Sequence, residues 1–416
     1  MVKEFFIPGK ELWSAVSKLP TNRPPAILFN SHITGLAVAR SLGREGVPII
    51  ALDRDGRAYG LQSKYVHIAA HCPNPLTDEL SFIELLEEIG KHLPQKGVLF
   101  PSNDEWVFAV SRHRERLSEY YHFPFSELEI IDQILNKKHL YKKAEELNIP
   151  IPKTWYPEEW ESKEELTEAL PYPCIVKPVE QRSFYDAFGV KVFEIENKEK
   201  LLTTLSKVAG HGVVIQEIIG ESLSDFFSLC SYVGINGSVK GAFVGQKIEQ
   251  YPISFGTGCL VISKYIESIV KDGSEILEIL SYQGISESEF IFDSRDHTYK
   301  LLDINTRTWK WIDLPIKAGI NLPLMAYSEA IGEDVETKTT QRDDVKWVYF
   351  KDYLKLKQEK KAGSTFGHLT DVELEKIVTG QLPNEFLLDA VIDKDDPEPA
   401  VQLIKNSYNN GYVCPC

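Results

Sequence analysis

A chain of 416 residues is too long for one ordinary core and predicts two or three domains, and 43% hydrophobic with 26% charged residues is an ordinary soluble globular composition. The formal charge of −15 argues against a general nucleic-acid or anionic-membrane binder, because phosphate surfaces reward clustered Lys and Arg. The six cysteines at 72, 174, 230, 259, 414 and 416 form neither a disulfide framework nor a zinc pattern. No apolar run is long enough to span a bilayer, and Met1-Val2-Lys3-Glu4-Phe5-Phe6 lacks a charged segment followed by an apolar one, so a cytoplasmic protein is expected.

Ala26-Ile27-Leu28-Phe29-Asn30 is an apolar run ending in a polar turn. An amphipathic stretch from Leu36 to Leu42 follows, and then Val47-Pro48-Ile49-Ile50-Ala51-Leu52-Asp53; this order predicts a β-α-β unit and a parallel sheet. A second run, Gly97-Val98-Leu99-Phe100-Pro101, opens onto Ser102-Asn103-Asp104-Glu105, with a helical pattern through Arg116. Ligands of open parallel sheets lie beyond the carboxyl ends of strands, so Asn30–Thr34 and Ser102–Glu105 are expected to line one crevice. The first turn contains only Gly35 and lacks G-x-G-x-x-G, which weakens a dinucleotide reading, and Asp53 reads as a turn or cap residue.

Asn136 is placed to cap a helix from Lys137 to Asn148 with Leu140, Ala144 and Leu147 on its apolar face, stopped by Pro150 and Pro152. Tyr172–Pro178 reads as a strand carrying Lys177 at its end, where an ammonium is costly unless an anion accompanies it. Glu180–Val190 reads as a polar loop. Strand patterns at Val213–Ile219, Phe227–Ile235 and Lys240–Ile248 give the middle of the chain an α+β, largely antiparallel character.

Glu289–Asp293 and Tyr299–Asn305 then predict a hairpin. A symmetric register pairs Asp293 with Tyr299 and therefore Glu289 with Asp303, with Asn305 on the same face and Phe290, Phe292, Leu302 and Ile304 toward the core. Facing carboxylates repel each other, and a divalent cation between them removes the repulsion. An all-oxygen Glu/Asp/Asn set suits Mg²⁺. Trp309 and Trp311 read as packing residues, Lys247 with Gly256-Thr257-Gly258 as an anion-binding turn, and Lys355–Lys361 as a solvated helical face.

Lys137 ahead of Ile149-Pro150-Ile151-Pro152, then Lys177-Pro178, Gln216-Glu217-Ile218-Ile219-Gly220 and the Glu289…Asp303-Ile304-Asn305 hairpin resemble, in that order, the ATP-grasp superfamily of carboxylate–amine ligases. Within it the chain is most similar to the group that includes D-aspartate ligase. Gly35–Gly43, Ser63–Val66, Phe100–Glu105, Gln246–Pro252 and Phe255–Gly258 carry that closer resemblance.

The resemblance implies a Rossmann-like pre-ATP-grasp domain (1–135), an ATP-grasp lobe A (136–210), a lobe B with the metal site (211–335) and a C-terminal extension (336–416). It implies ATP and Mg²⁺ as cofactors. Lys137 and Lys177 would hold the α- and β-phosphates, with Lys191 adding a further phosphate contact. Gln216, Glu217 and Ile219 would read adenine, and Asp225 the ribose hydroxyls. Glu289, Asp303 and Asn305 would hold magnesium, while Arg307 would stabilise the transferred phosphate and Lys247 act near it. The lid departs from the family pattern, since of Glu180–Gly189 only Gly189 tolerates a positive φ at no cost, and side chains such as Arg182 and Ser183 would replace backbone amides there. The implied activity joins a small-molecule carboxylate to an amine through an acylphosphate. A bicarbonate-using carboxylase and a non-catalytic nucleotide-binding regulator are the alternatives. No nucleic-acid or membrane partner is expected, and a homodimer is open to the chain.

Overall fold

The computed structural model describes residues 4–220, 222–253, 256–359 and 368–407. Phe255, Lys360, Lys361 and the Cys414-Pro415-Cys416 tail lie outside the described residues.

Three sheets follow one another along the chain. The first holds β1 (Phe5–Phe6), β2 (Ala26–Phe29), β3 (Ile49–Asp53), β4 (Ile68–His71), β5 (Gly97–Phe100) and β6 (Tyr121–His122) in the order β1-β4-β3-β2-β5-β6, every pair parallel. Its central strands are apolar throughout because helices cover both faces. Ala26 and Leu28 pack on one side with helix Ile33–Arg44, while Ile27 and Phe29 pack on the other with Phe82 and Trp106. Asp53 is a turn residue, as read, since its carboxylate accepts from the Ser31 and Asp55 amides at 2.6 and 2.9 Å. Gly35 permits the tight β2 turn, for a Cβ there would stand 2.6 Å from the Asn30 carbonyl oxygen.

The second sheet comprises β7 (Thr154–Trp155), β8 (Cys174–Pro178), β9 (Phe193–Ile195) and β10 (Val213–Glu217), antiparallel in the order β7-β10-β8-β9. The segment after β8 is a helix, Gln181–Phe188, and not the expected loop. Phe184 and Phe188, one turn apart, bring their ring centroids to 4.7 Å and pack on Phe193 and His211. That apolar stripe outweighs the polar composition, and Gly189 ends the helix at φ 69.

The third sheet holds β11 (Phe226–Val233), β12 (Val239–Tyr251), β13 (Thr257–Ser263), β14 (Gly284–Asp293), β15 (Thr298–Asn305), β16 (Lys346–Val348) and β17 (Leu387–Asp389) in the order β15-β14-β11-β12-β13-β16-β17. Its last two strands come from beyond residue 335. Trp309, Trp311 and Trp347 are buried with Ala26 and Leu28, so the first and third sheets share one core, and the packing expected of Trp309 and Trp311 is what they do. Helix Phe350–Glu359 is not wholly solvated: Lys357 and Glu249 form a buried ion pair at 2.7 Å. Among the described residues no helix is long and apolar enough to cross a membrane.

Candidate active site

The β14–β15 hairpin sets the site, and a bulge sets the hairpin. Near its turn Asp293 pairs with Thr298 and Phe292 with Tyr299, one residue out from the symmetric register. Continued regularly, that ladder would place Leu302 and Ile304 beside the carboxylates and turn Asp303 and Asn305 to the core. An extra residue, Leu302, restores the parity, so Glu289 faces Asp303 and Glu287 faces Asn305. Leu301 consequently fills the core position expected of Leu302. Bulging costs ladder bonds, and neighbours satisfy them: the Tyr141 hydroxyl donates to the Leu302 carbonyl at 2.7 Å, and the Leu301 amide to the Pro150 carbonyl at 2.8 Å.

The resulting face carries Glu287, Glu289, Asp303 and Asn305. The Asn305 amide nitrogen donates to Glu287 Oε2 and Glu289 Oε1, both at 3.2 Å. Burial and the neighbouring Glu289 charge push the Glu287 carboxyl up to about 8, against the opposing pull of Arg307 and Lys247. Among the described residues no three His, Cys, Asp or Glu side chains gather as a metal set. Asn305 stands beside Glu289 and Asp303, and the side-chain oxygens of these three residues are of the kind that suits Mg²⁺.

Lys137 reaches this face, and Lys177 lies within the electrostatic influence of its carboxylates. Helix Lys137–Glu146 is capped by Asn136, which accepts from the His139 amide at 3.0 Å, and its first residue sends an ammonium to 2.5 Å from Asp303 Oδ2. Lys177 donates to Gln216 Oε1 at 2.7 Å, and Gln216 donates to Thr154 Oγ1 at 3.0 Å. Burial and the like charge of Lys137 lower the Lys177 ammonium to about 8, while Asp303 and Glu289 pull the other way. Two lysines and two carboxylates thus share one electrostatic environment.

The remaining expected residues divide. Lys247 stands 5.0 Å from the Phe226 ring centroid and acts on Glu287. Arg307 is bound by Asp104 of the first sheet's β5 turn, Nε to Oδ1 at 2.5 Å. The Gln216 side-chain carbonyl is held by Lys177, and the Glu217 carboxylate turns to the Lys153 amide and to Arg295, each at 2.9 Å. Asp225 caps its own turn through the Ser222 amide at 2.8 Å. Lys191 is exposed, beyond the Gln181–Phe188 helix, and its carbonyl accepts from Gln181 Nε2 at 3.4 Å. Sequence reasoning passed over Glu287, and it placed Asp104 in the crevice-lining Ser102–Glu105 turn without its contact to Arg307. The Glu287/Glu289 alternation was the available signal for the first, whereas the second needed the tertiary contact.

A parallel sheet leading into antiparallel lobes that face two lysines toward paired carboxylates is the ATP-grasp fold. In sequence the chain is similar to the D-aspartate ligase of Enterococcus faecium, 26% identical over 275 residues, covering 62% of this chain and 65% of that protein. The match thus spans just under two thirds of that relative's length. The L-amino acid ligase from Bacillus licheniformis superposes with a TM-score of 0.58 at 18% identity, covering 79% of each chain. The biotin carboxylase domain of the Hydrogenobacter thermophilus 2-oxoglutarate carboxylase, in complex with MgADP, ADP and bicarbonate, gives a TM-score of 0.61 at 14% identity, covering 77% of this chain and 73% of that one. N5-carboxyaminoimidazole synthetase from Staphylococcus aureus, complexed with ADP, gives 0.56 at 15% identity over 78% and 81%. No family model matches the chain.

Proposed function

We propose that the chain is an ATP-dependent carboxylate–amine ligase acting on small molecules. The observation that carries this reading is the shared site of Lys137, Lys177, Glu289 and Asp303, with Arg307 and Lys247 beside Glu287. A substrate carboxylate oxygen attacks the γ-phosphorus of ATP, the bond to the β-phosphate breaks, and ADP leaves. An amine then adds to the acylphosphate carbon, phosphate departs, and the amine proton passes to solvent, leaving an amide.

Lys137 and Lys177 offset the charge of the α- and β-phosphates. Backbone groups around Glu217 and Ile219 hold the adenine, Gln216 steadies Lys177, and Asp225 lies nearest the ribose. Arg307 meets charge developing on the transferred phosphoryl group, with Lys247 beside it. Helix Gln181–Phe188 and Lys191 form the lid over the phosphates. Glu289, Asp303 and Asn305 would hold Mg²⁺, which when bound neutralises charge on the phosphate oxygens.

The test is ADP and phosphate release from ATP and Mg²⁺ with panels of carboxylates and amines. Release that requires one carboxylate–amine pair supports the ligase. Release driven by bicarbonate would favour a carboxylase, as the Hydrogenobacter relative is named. Tight ATP binding with no release under any panel would make the chain a nucleotide-binding regulator.

A further inference from the structure

Arg307 does not stand free. Its Nε and Nη2 donate to Asp104 Oδ1 and Oδ2 at 2.5 and 3.4 Å, and Nη1 donates to the Thr308 carbonyl at 3.2 Å. A guanidinium has five N–H bonds in a rigid plane, so Asp104 takes the Nε/Nη2 edge and Thr308 one Nη1 hydrogen, which leaves one hydrogen on each terminal nitrogen for an oxyanion. The Arg307 side chain is only 21% exposed, lining a cleft with Pro101, Phe125 and Ile285 between the first sheet and the hairpin.

The contact joins two parts of the protein. Asp104 opens helix Asp104–Arg112 at the carboxyl end of β5, 203 positions before Arg307. The adjacent Asn103 accepts from the Asn30 amide nitrogen at 2.9 Å and donates to Glu105 at 3.2 Å, closing the mouth of the crevice between the β2 and β5 turns. Whatever shifts Asn103 therefore shifts the carboxylate that aims the guanidinium.

We propose that Asp104 is a positioning residue: it fixes the plane of Arg307 so that the open edge faces the transferred phosphoryl group, and it couples that aim to the Asn30–Asn103 crevice. The proposal rests on the ligase reading for the identity of the oxyanion. It does not place Asp104 in contact with substrate.

The test is a double-mutant cycle in the full chain, with MgADP alone and MgADP–aluminium fluoride as probes, the latter standing for the phosphoryl group in flight. Wild type should bind the fluoroaluminate complex more tightly than MgADP. Asp104→Asn and Arg307→Ala should each remove about tenfold of that gain, and the double variant should be no worse than Arg307→Ala. Asp104→Glu should restore part of it. MgADP affinity and melting temperature should stay close to wild type, and under turnover kcat should fall with KM for ATP unchanged.

Additive losses, no gain for fluoroaluminate in wild type, or equal losses with both probes would overturn the proposal. Coupled losses in a protein that turns over no carboxylate–amine pair would sustain Asp104 and defeat the ligase reading. Ligase turnover untouched by Asp104→Asn would do the reverse.

Discussion

The Lys137 ammonium lies 2.5 Å from Asp303 Oδ2, a contact between residues 166 positions apart that ties the first turn of a helix to the carboxylate-bearing face of the hairpin. Ligase chemistry requires both to exchange partners, Lys137 for phosphate and Asp303 for magnesium. Their pairing holds a buried lysine in place beforehand: its side chain is 7% exposed against 34% for Asp303. Asp303→Asn keeps an oxygen for the lysine, so the melting temperature should move by only a few degrees. Magnesium-dependent ADP release should fall by about a hundredfold or more, because the proposed Glu289, Asp303 and Asn305 set would keep only one carboxylate. Titrating Mg²⁺ against both proteins checks this, and unchanged turnover removes Asp303 from the site.

Lys177 supplies a pH dependence whose sign can be worked out. Its ammonium is lowered from 10.5 to about 8 by burial and by Lys137. Between those values the unfolded chain still holds a proton that the folded chain has released, so this residue's contribution makes stability rise with pH across that window. Nucleotide binding runs the other way, since phosphate favours the charged form. ATP should bind with net proton uptake near pH 8, seen by calorimetry in buffers of different ionisation enthalpy. Lys177→Met should melt higher at pH 7 and lose nucleotide binding. A lower melting temperature would mean that the bond to Gln216 outweighs the cost of burial.

Much of the scaffold was legible because its signals are local. Apolar runs gave the parallel strands, Asn136 gave the helix start, and the order of lysines and carboxylates gave the shared site. The hairpin was right at Glu289 and Asp303 for a reason the residues alone do not state. Counting outward from a symmetric turn assumed no bulge, and the true turn is shifted by one with Leu302 repaying the shift. The Tyr141 and Pro150 groups that stabilise the bulge lie more than 150 positions away. The lid was misread because composition was weighed above the Phe184/Phe188 spacing. Asp104 on Arg307 and Glu249 on Lys357 were invisible, since nothing short-range predicts which distant carboxylate meets a given cation.

Glu217 separates backbone from side-chain recognition of the base. Its carboxylate, 7% exposed, is bonded to the Lys153 amide and to Arg295 of the hairpin turn, where Asp293 and Lys300 join the network. Glu217→Gln should leave the preference for ATP over GTP unchanged while costing about 1 kcal/mol or less of stability, as Arg295 is 57% exposed and keeps Asp293 as a partner. Competition binding and urea unfolding together check it. Altered base preference with unchanged stability would put the carboxylate on the nucleotide.

The segment beyond 335 has a measurable place in the fold through Asp396. This carboxylate, 0% exposed, accepts from Arg40 Nε at 2.9 Å and from Ser63 Oγ and the Lys64 amide at 2.7 Å each, while Arg40 Nη2 also donates to the Val391 and Asp396 carbonyls. Nearby, Asp393 meets Arg44 at 2.5 Å, but Arg44 is 39% exposed. The two acids should therefore differ sharply. Asp396→Asn leaves the buried Arg40 with only the longer 4.0 Å contact to Asp393 and should cost about 3 kcal/mol. Asp393→Asn removes a pair whose arginine can turn to water and should cost about 1 kcal/mol or less. Replacing Arg40 and Asp396 together by Met and Leu should destabilise less than Asp396→Asn alone, because no lone charge remains buried. Urea unfolding of the four proteins orders them, and equal costs for Asp393 and Asp396 would show that the C-terminal segment is held by its apolar contacts and not by this clamp.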